Sequence, residues 1–235
     1  MKIRIKFAKT GSMKFIGHLD IMRYFQKVMR RAKVDIAYSE GFSPHQKMSF
    51  AAPLGVGLTS CGEYFDIEVH STDASKEMLR RINDAMVEGM EVLSYVALPE
   101  DSKNAMSLVA AADYEVTIRE GYLPELDFAS TFTAFMDQPV IEILKTTKKS
   151  QQMVDIKPMI LNQTLKIKED GTPVFQMQLA TGSVSNLKPE LVMQAYYQYA
   201  GLEYVPMCIE TKRLELYGEQ DGKLLPLEAF GVEVQ

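Results

Sequence analysis

The feature that most narrows the fold is a series of switches in hydrophobic period, run through twice along the chain. From Lys2 to Ala8 charged and apolar residues alternate, which puts Ile3, Ile5 and Phe7 on one face of a strand. From Gly17 to Ala32 the period lengthens. Leu19, Met22, Phe25 or Gln26, Met29 and Ala32 form a helical stripe, and Arg23, Lys27, Arg30 and Arg31 fall on the other side. Residues 45–52 and 62–69 return to strand formers, with a glycine-bearing hairpin connection at 54–60; in the second strand Phe65, Ile67 and Val69 alternate with Tyr64, Asp66 and Glu68. A helix capped by Ser71 or Thr72 and stopped by Gly89 follows, then a strand from Glu91 to Leu98 closed by Pro99.

Strand, helix, strand, strand, helix, strand predicts a ferredoxin-like βαββαβ unit, an antiparallel four-stranded sheet with both helices on one face. The order recurs in the second half. Asp113 to Arg119 reads as a strand, Leu126 to Met136 as a helix and Val140 to Thr146 as a strand. Met159–Lys168 and Pro173–Thr181 make a hairpin around 169–172, Pro189 opens a helix to Ala200, and Met207 to Tyr217 closes the set. The expected fold is α+β, two tandem ferredoxin-like units with antiparallel sheets. Its parts are an N-terminal domain over 1–99 with the basic helix, a linker over 100–109, a C-terminal domain over 110–217 and a tail over 218–235.

Charge then singles out one segment. Residues 1–50 hold eleven Lys and Arg against three acids, so the remaining 185 residues carry −13 to give the net −5 of the chain. A sign split of this kind points the first segment at a polyanion or an acidic partner. No apolar run approaches the ~18 residues of a membrane span, so a cytoplasmic protein without a membrane partner is expected; oligomeric state is not encoded in these patterns. The two cysteines, Cys61 and Cys208, lack metal-site spacing, so neither a zinc site nor an iron–sulfur cluster is expected in this chain.

The stretch Lys14–Pro53 gathers the candidates for chemistry. His18 and Asp20 open the basic helix, where unpaired backbone N–H groups and the helix dipole favour an anion. Arg23, Lys27, Arg30 and Arg31 suit a phosphate backbone. Gly41-Phe42-Ser43-Pro44-His45 reads as a stiff loop that places Phe42, Ser43 and His45, with Lys47 just beyond. Convergence of His18 and His45 would make an acid/base pair or two metal ligands. Phe42, Tyr24 and Phe50 are candidates for stacking on bases, although Phe50, in a strand, reads first as a core residue. In the second half Lys148, Lys149 and Lys157 supply positive charge, and Ser183 and Asn186 lie near the entrance of the Pro189 helix. No Walker loop, dinucleotide fingerprint or zinc-protease motif is present.

The runs GHLDIMRYFQKVMRRAKVDIAYSEGFSPHQKMSFAAPLGVG, GEYFDIEV, VDIKPMI and GSVSNLKPEL resemble the bacterial radical-SAM-linked proteins, an uncharacterised family encoded beside, or fused to, a radical S-adenosylmethionine enzyme. The resemblance implies such an enzyme as partner. That partner would carry S-adenosylmethionine and an iron–sulfur cluster, often with cobalamin, and this chain would hold no cofactor. The expected function is an accessory protein that binds RNA or another anionic substrate. Two alternatives stand beside it: a metal-independent ribonuclease-like enzyme using His18 and His45, and a purely protein-binding subunit.

Overall fold

A computed structural model of the chain describes residues 1–146, 151–183 and 185–235. The chain divides into two compact units: Met1–Ala111 joined by Arg213–Gln235, and Ala112–Lys212. Five α-helices and mostly antiparallel strands make the described part an α+β fold. No helix among the described residues is long and apolar enough to cross a membrane.

The first unit contains β1 (Lys2–Lys9), α1 (His18–Arg31), β2 (Met48–Phe50), β3 (Thr59–Glu68), α2 (Ser75–Asn83), β4 (Met90–Leu98) and the short α3 (Ala105–Leu108). Strand β1 lies between β3 and β4, antiparallel to both, and β2 pairs with the other edge of β3 through Met48↔Ile67 and Phe50↔Phe65. Alternation therefore turns Ile3, Ile5 and Phe7 toward α1. There Phe7, Phe25, Phe50 and Phe65 form one ring cluster, with centroids 4.6–6.0 Å apart. Each such buried ring contributes about 1.5–3 kcal/mol by leaving water.

The opposite face of β1 is closed by charge. Arg4 is fully buried and grips Asp66 in a two-point contact, Nε to Oδ1 at 2.8 Å and Nη2 to Oδ2 at 3.0 Å. Lys6 Nζ reaches Glu215 at 2.6 Å and Glu228 at 2.8 Å. Glu228 lies in a segment expected to be a tail, and both that segment and the expected linker belong to the first unit. Within 100–109, Asn104 caps α3, Asp66 Oδ2 accepts from the Ala105 N–H, and Lys2 Nζ donates to the Glu100 and Ser102 carbonyls. Beyond 217, β11 (Lys223–Pro226) folds back on β10 (Ile209–Gln220), Leu227 O accepts from Arg4, and β12 (Val232–Glu233) pairs with β4. Weak periodicity reads as a tail, but Leu227 is buried and completes the unit.

Local expectations also shift. Strand β2 covers only three residues of 45–52, and Tyr38↔Gln46 is an isolated bridge. Helix α2 begins at Ser75 without a side-chain cap, because Ser71 donates to Asp35 and Thr72 shares a hydrogen bond with Tyr95. It ends early because the Asn83 side chain turns to the Val92 backbone, donating to its carbonyl at 2.9 Å and accepting from its N–H at 2.8 Å.

The second unit contains most of β5 (Val109–Ile118), α4 (Phe128–Met136), β6 (Glu142–Thr146), β7 (Gln151–Asp155), β8 (Ile160–Ile167), β9 (Pro173–Ala180), α5 (Pro189–Tyr199) and the start of β10. Its strand order is β10-β5-β9-β8. Strand β6, expected within the main set, instead pairs with β7 in a separate two-stranded sheet. Asp127 caps α4, and Phe132, Phe135, Phe175 and Tyr196 pack where α4, α5 and β9 meet.

Candidate ligand-binding site

Helix α1 starts at His18 because Gly17 holds extended backbone and lacks a capping side chain. Ile21, Phe25, Val28 and Met29 are buried, Met22 and Tyr24 are half-buried against the same core, and Lys27, Arg30 and Arg31 are exposed on the solvent side. None of the three enters an ion pair among the described residues, whereas Arg23 meets Asp20 at 3.2 Å with both side chains exposed. Asp20 is thereby committed to a surface pair of the kind worth ~0–1 kcal/mol. Tyr24 is half-buried against Phe25, and its hydroxyl accepts from the Val87 N–H.

The 41–45 loop turns at Gly41 with φ 107° and leaves Phe42 and Ser43 fully open to solvent. His45 is held by Ser39, whose Oγ lies 2.8 Å from Nδ1 and accepts from the His45 N–H at 3.1 Å. His45 and Lys47, the latter 2.7 Å from Glu68, line a groove of about 520 Å³ with Lys2, Gln46, Asp66 and Asn104. His18 lines a different pocket. The acid/base pair expected if the two histidines converged therefore lacks its geometry: His18 leans on the core edge, while His45 is tethered across its own loop.

That second pocket holds a cluster the sequence reading did not single out. Lys9, His18 and Glu63 line it with Phe7, Ile21 and Phe50. Arg213 lies behind Glu63, donating Nε to Oε1 at 2.7 Å and Nη2 to Oε2 at 2.5 Å. Lys9 is 2% exposed and Glu63 3%. Burial pulls the Lys9 ammonium below its ordinary value; Glu63 opposes this and Arg213 adds to it. Burial likewise lowers His18, against the pull of Glu63.

A signal for this cluster existed. Lys9 continues the odd-numbered apolar phase of Ile3, Ile5 and Phe7, and Glu63 continues that of Phe65 and Ile67. A charge in the apolar phase of a strand is either paired indoors or lines a site. Gly62 beside it marks the close approach of β10, since a Cβ there would lie 2.4 Å from the Leu214 carbonyl.

In the second unit Lys157 donates Nζ to the Met136 carbonyl and its N–H to Asp155, so it is engaged locally. Ser183 and Asn186 are exposed, but α5 starts after Lys188 with no side-chain cap, and Glu190 occupies its first turn. Lys148 and Lys149 lie outside the described residues. Cys208 is buried, and Cys61 is half-buried with Sγ 3.5 Å from the Leu214 carbonyl. No group of three or more metal-ligating side chains among the described residues could hold a metal ion.

Fold and site together define an α+β protein with a basic helix whose head stands over a buried charged cluster. The chain belongs to the family described as "Uncharacterized protein conserved in bacteria (DUF2344)", whose model matches residues 2–189. No curated protein matches it in sequence. Among solved structures, a chain in the crystal structure of a Cbf5-Nop10-Gar1 complex is similar, with TM-score 0.51 at 10% identity over 93% of this chain and 50% of that one. The protein thus spans about half the length of that chain, and at this identity the likeness is one of fold.

Proposed function

We propose that the protein is a recognition component that holds RNA on the exposed face of α1 for a partner enzyme. The observation that carries this reading is that Lys27, Arg30 and Arg31 are exposed and enter no ion pair among the described residues, while Arg4 and Lys6 of β1 are consumed in ion pairs inside the first unit. Arginine guanidinium matches phosphate with two parallel donors, and exposed Phe42 offers a ring on which an unpaired base can stack. The partner is inferred from the resemblance to radical-SAM-linked proteins: it would contribute S-adenosylmethionine, an iron–sulfur cluster and, in many cases, cobalamin. The strand orders β4-β1-β3-β2 and β10-β5-β9-β8, each with helices in its connections, favour reading the chain as tandem ferredoxin-like units.

The test is fluorescence anisotropy of a labelled single-stranded RNA across a salt series. The double reversal Arg30→Glu with Arg31→Glu is expected to weaken binding and to reduce the salt slope by roughly 0.7 per lost phosphate contact. Undiminished binding would overturn the proposal. So would a co-purifying protein that survives nuclease treatment yet is lost on the same reversal, because the basic face would then meet an acidic protein surface.

A further inference from the structure

The pocket at the head of α1 is short of one negative charge. Glu63 has both carboxylate oxygens occupied by Arg213, whose Nη2 also reaches the Ala52 carbonyl at 3.2 Å. Among the described residues Lys9 is left with one long hydrogen bond, 3.3 Å from Nζ to the Ile16 carbonyl, although the ammonium has three protons to donate. A buried ammonium without a carboxylate partner costs several kcal/mol. Lys6, two positions before the Phe7–Lys9 register shift on the same strand, meets two carboxylates. A methionine at position 9 would continue the apolar phase at no such cost.

His18 adds a second unused group. Its ring stands edge-on to Phe50 at 5.3 Å and makes no hydrogen bond among the described residues, although it lines the same pocket. Two cations, Lys9 and Arg213, and one carboxylate leave a net positive charge, and Asp20 in the first turn of α1 is paired with Arg23.

We propose that this pocket binds the carboxylate of a small organic acid, with Lys9 Nζ and the His18 ring as donors and the Glu63–Arg213 pair fixing the floor. Size selects the group. The space inside is about 10 Å³, room for a single oxygen-sized atom, so one carboxylate oxygen enters and the body of the acid stays outside. The segments that supply the lining also carry exposed Phe15, Leu19 and Val56, an apolar resting place for that body. A phosphate dianion would bring two negative charges to a pocket that is short of one. The inference is independent of RNA binding by the helix face and names a ligand for a separate place.

The probe is sodium benzoate, titrated into the full chain at constant ionic strength while the ring protons of its three histidines are followed by NMR. A His18→Gln variant identifies the His18 signal. Benzoate is expected to shift that signal saturably and to leave His45 and His70 in place; benzyl alcohol, equal in shape and uncharged, is expected to shift nothing. Lys9→Met and Lys9→Gln should each bind about tenfold to a hundredfold more weakly, as the loss of one charge-assisted hydrogen bond requires, and Lys76→Met on α2 should bind as the wild type does. Two lysine variants guard against a folding defect in one. No saturable His18 shift, or undiminished binding in a folded Lys9 variant, overturns the site. Inorganic phosphate that competes as strongly as benzoate overturns its assignment to a carboxylate.

Discussion

Strand β1 disposes of its lysines and arginines in two ways. On one face Arg4 and Lys6 each meet carboxylates, and the C-terminal segment closes over them. On the other, Lys9 lies just as deep, with one carbonyl at long range and a pocket beside it. Burial is common to both faces, so burial alone does not separate a structural charge from a functional one. What separates them is whether the donors are used up.

The comparison breaks most visibly if a cation is removed and its carboxylate left indoors. Arg213→Met strands Glu63 and is expected to cost about 3–5 kcal/mol in urea unfolding. Arg4→Met should cost less than that, because Asp66 keeps the Ala105 N–H and lies nearer water. Equal and negligible losses in both would mean that neither face depends on its ion pairs.

The two lysines should then move in opposite directions. Lys6→Met leaves Glu215 and Glu228 without their shared partner and is expected to lower stability by about 1–2 kcal/mol, whereas Lys9→Met removes a poorly compensated charge and should raise it by a similar amount. A Lys9→Met protein less stable than wild type would count Lys9 among the structural charges.

Alkaline titration sharpens the same contrast. For Lys6, burial depresses the ammonium, but hydrogen bonds and charges from Glu215 and Glu228 outweigh it and raise the folded value above 10.5. That stabilisation is whole below the unfolded value of 10.5 and is lost as pH rises through the folded one. For Lys9 the folded value lies below 10.5, so the unfolded chain holds more protons in the window beneath it and stability rises with pH there. Unfolding midpoints measured across this range should lose the rise in Lys9→Met and the later fall in Lys6→Met. At the small end, Arg23→Ala breaks only the exposed pair with Asp20 and should change stability by less than about 0.5 kcal/mol.

Much of this was legible beforehand in the residues themselves. The alternation of Ile3, Ile5 and Phe7 gave the core face of β1, and Phe25, Met29 and Ala32 of the expected α1 stripe are buried with the basic side outward. Leu19 of that stripe is exposed, however, and Met22 is half-buried, while Ile21 and Val28, outside it, are buried. Capping was less legible: Ser71 and Thr72 offered plausible hydroxyls, but Asp35 and Tyr95 compete for them from elsewhere in the chain. The charge count of the first fifty residues overstated the basic surface, since it could not show that Arg4 and Lys9 are buried and that Lys6 is half-buried against two carboxylates.

By itself, then, the sequence determined which face of each element is apolar and where α1 puts its charge, because period and side-chain direction are local properties of the backbone. Only the tertiary structure decided who meets whom. Glu63 and Arg213 lie 150 residues apart and pair because β10 approaches β3 at Gly62; His18 and His45, only 27 positions apart, face different pockets. Strand neighbours are chosen by the burial of whole faces, which no local pattern records, and that choice left Lys9 beside a carboxylate already taken.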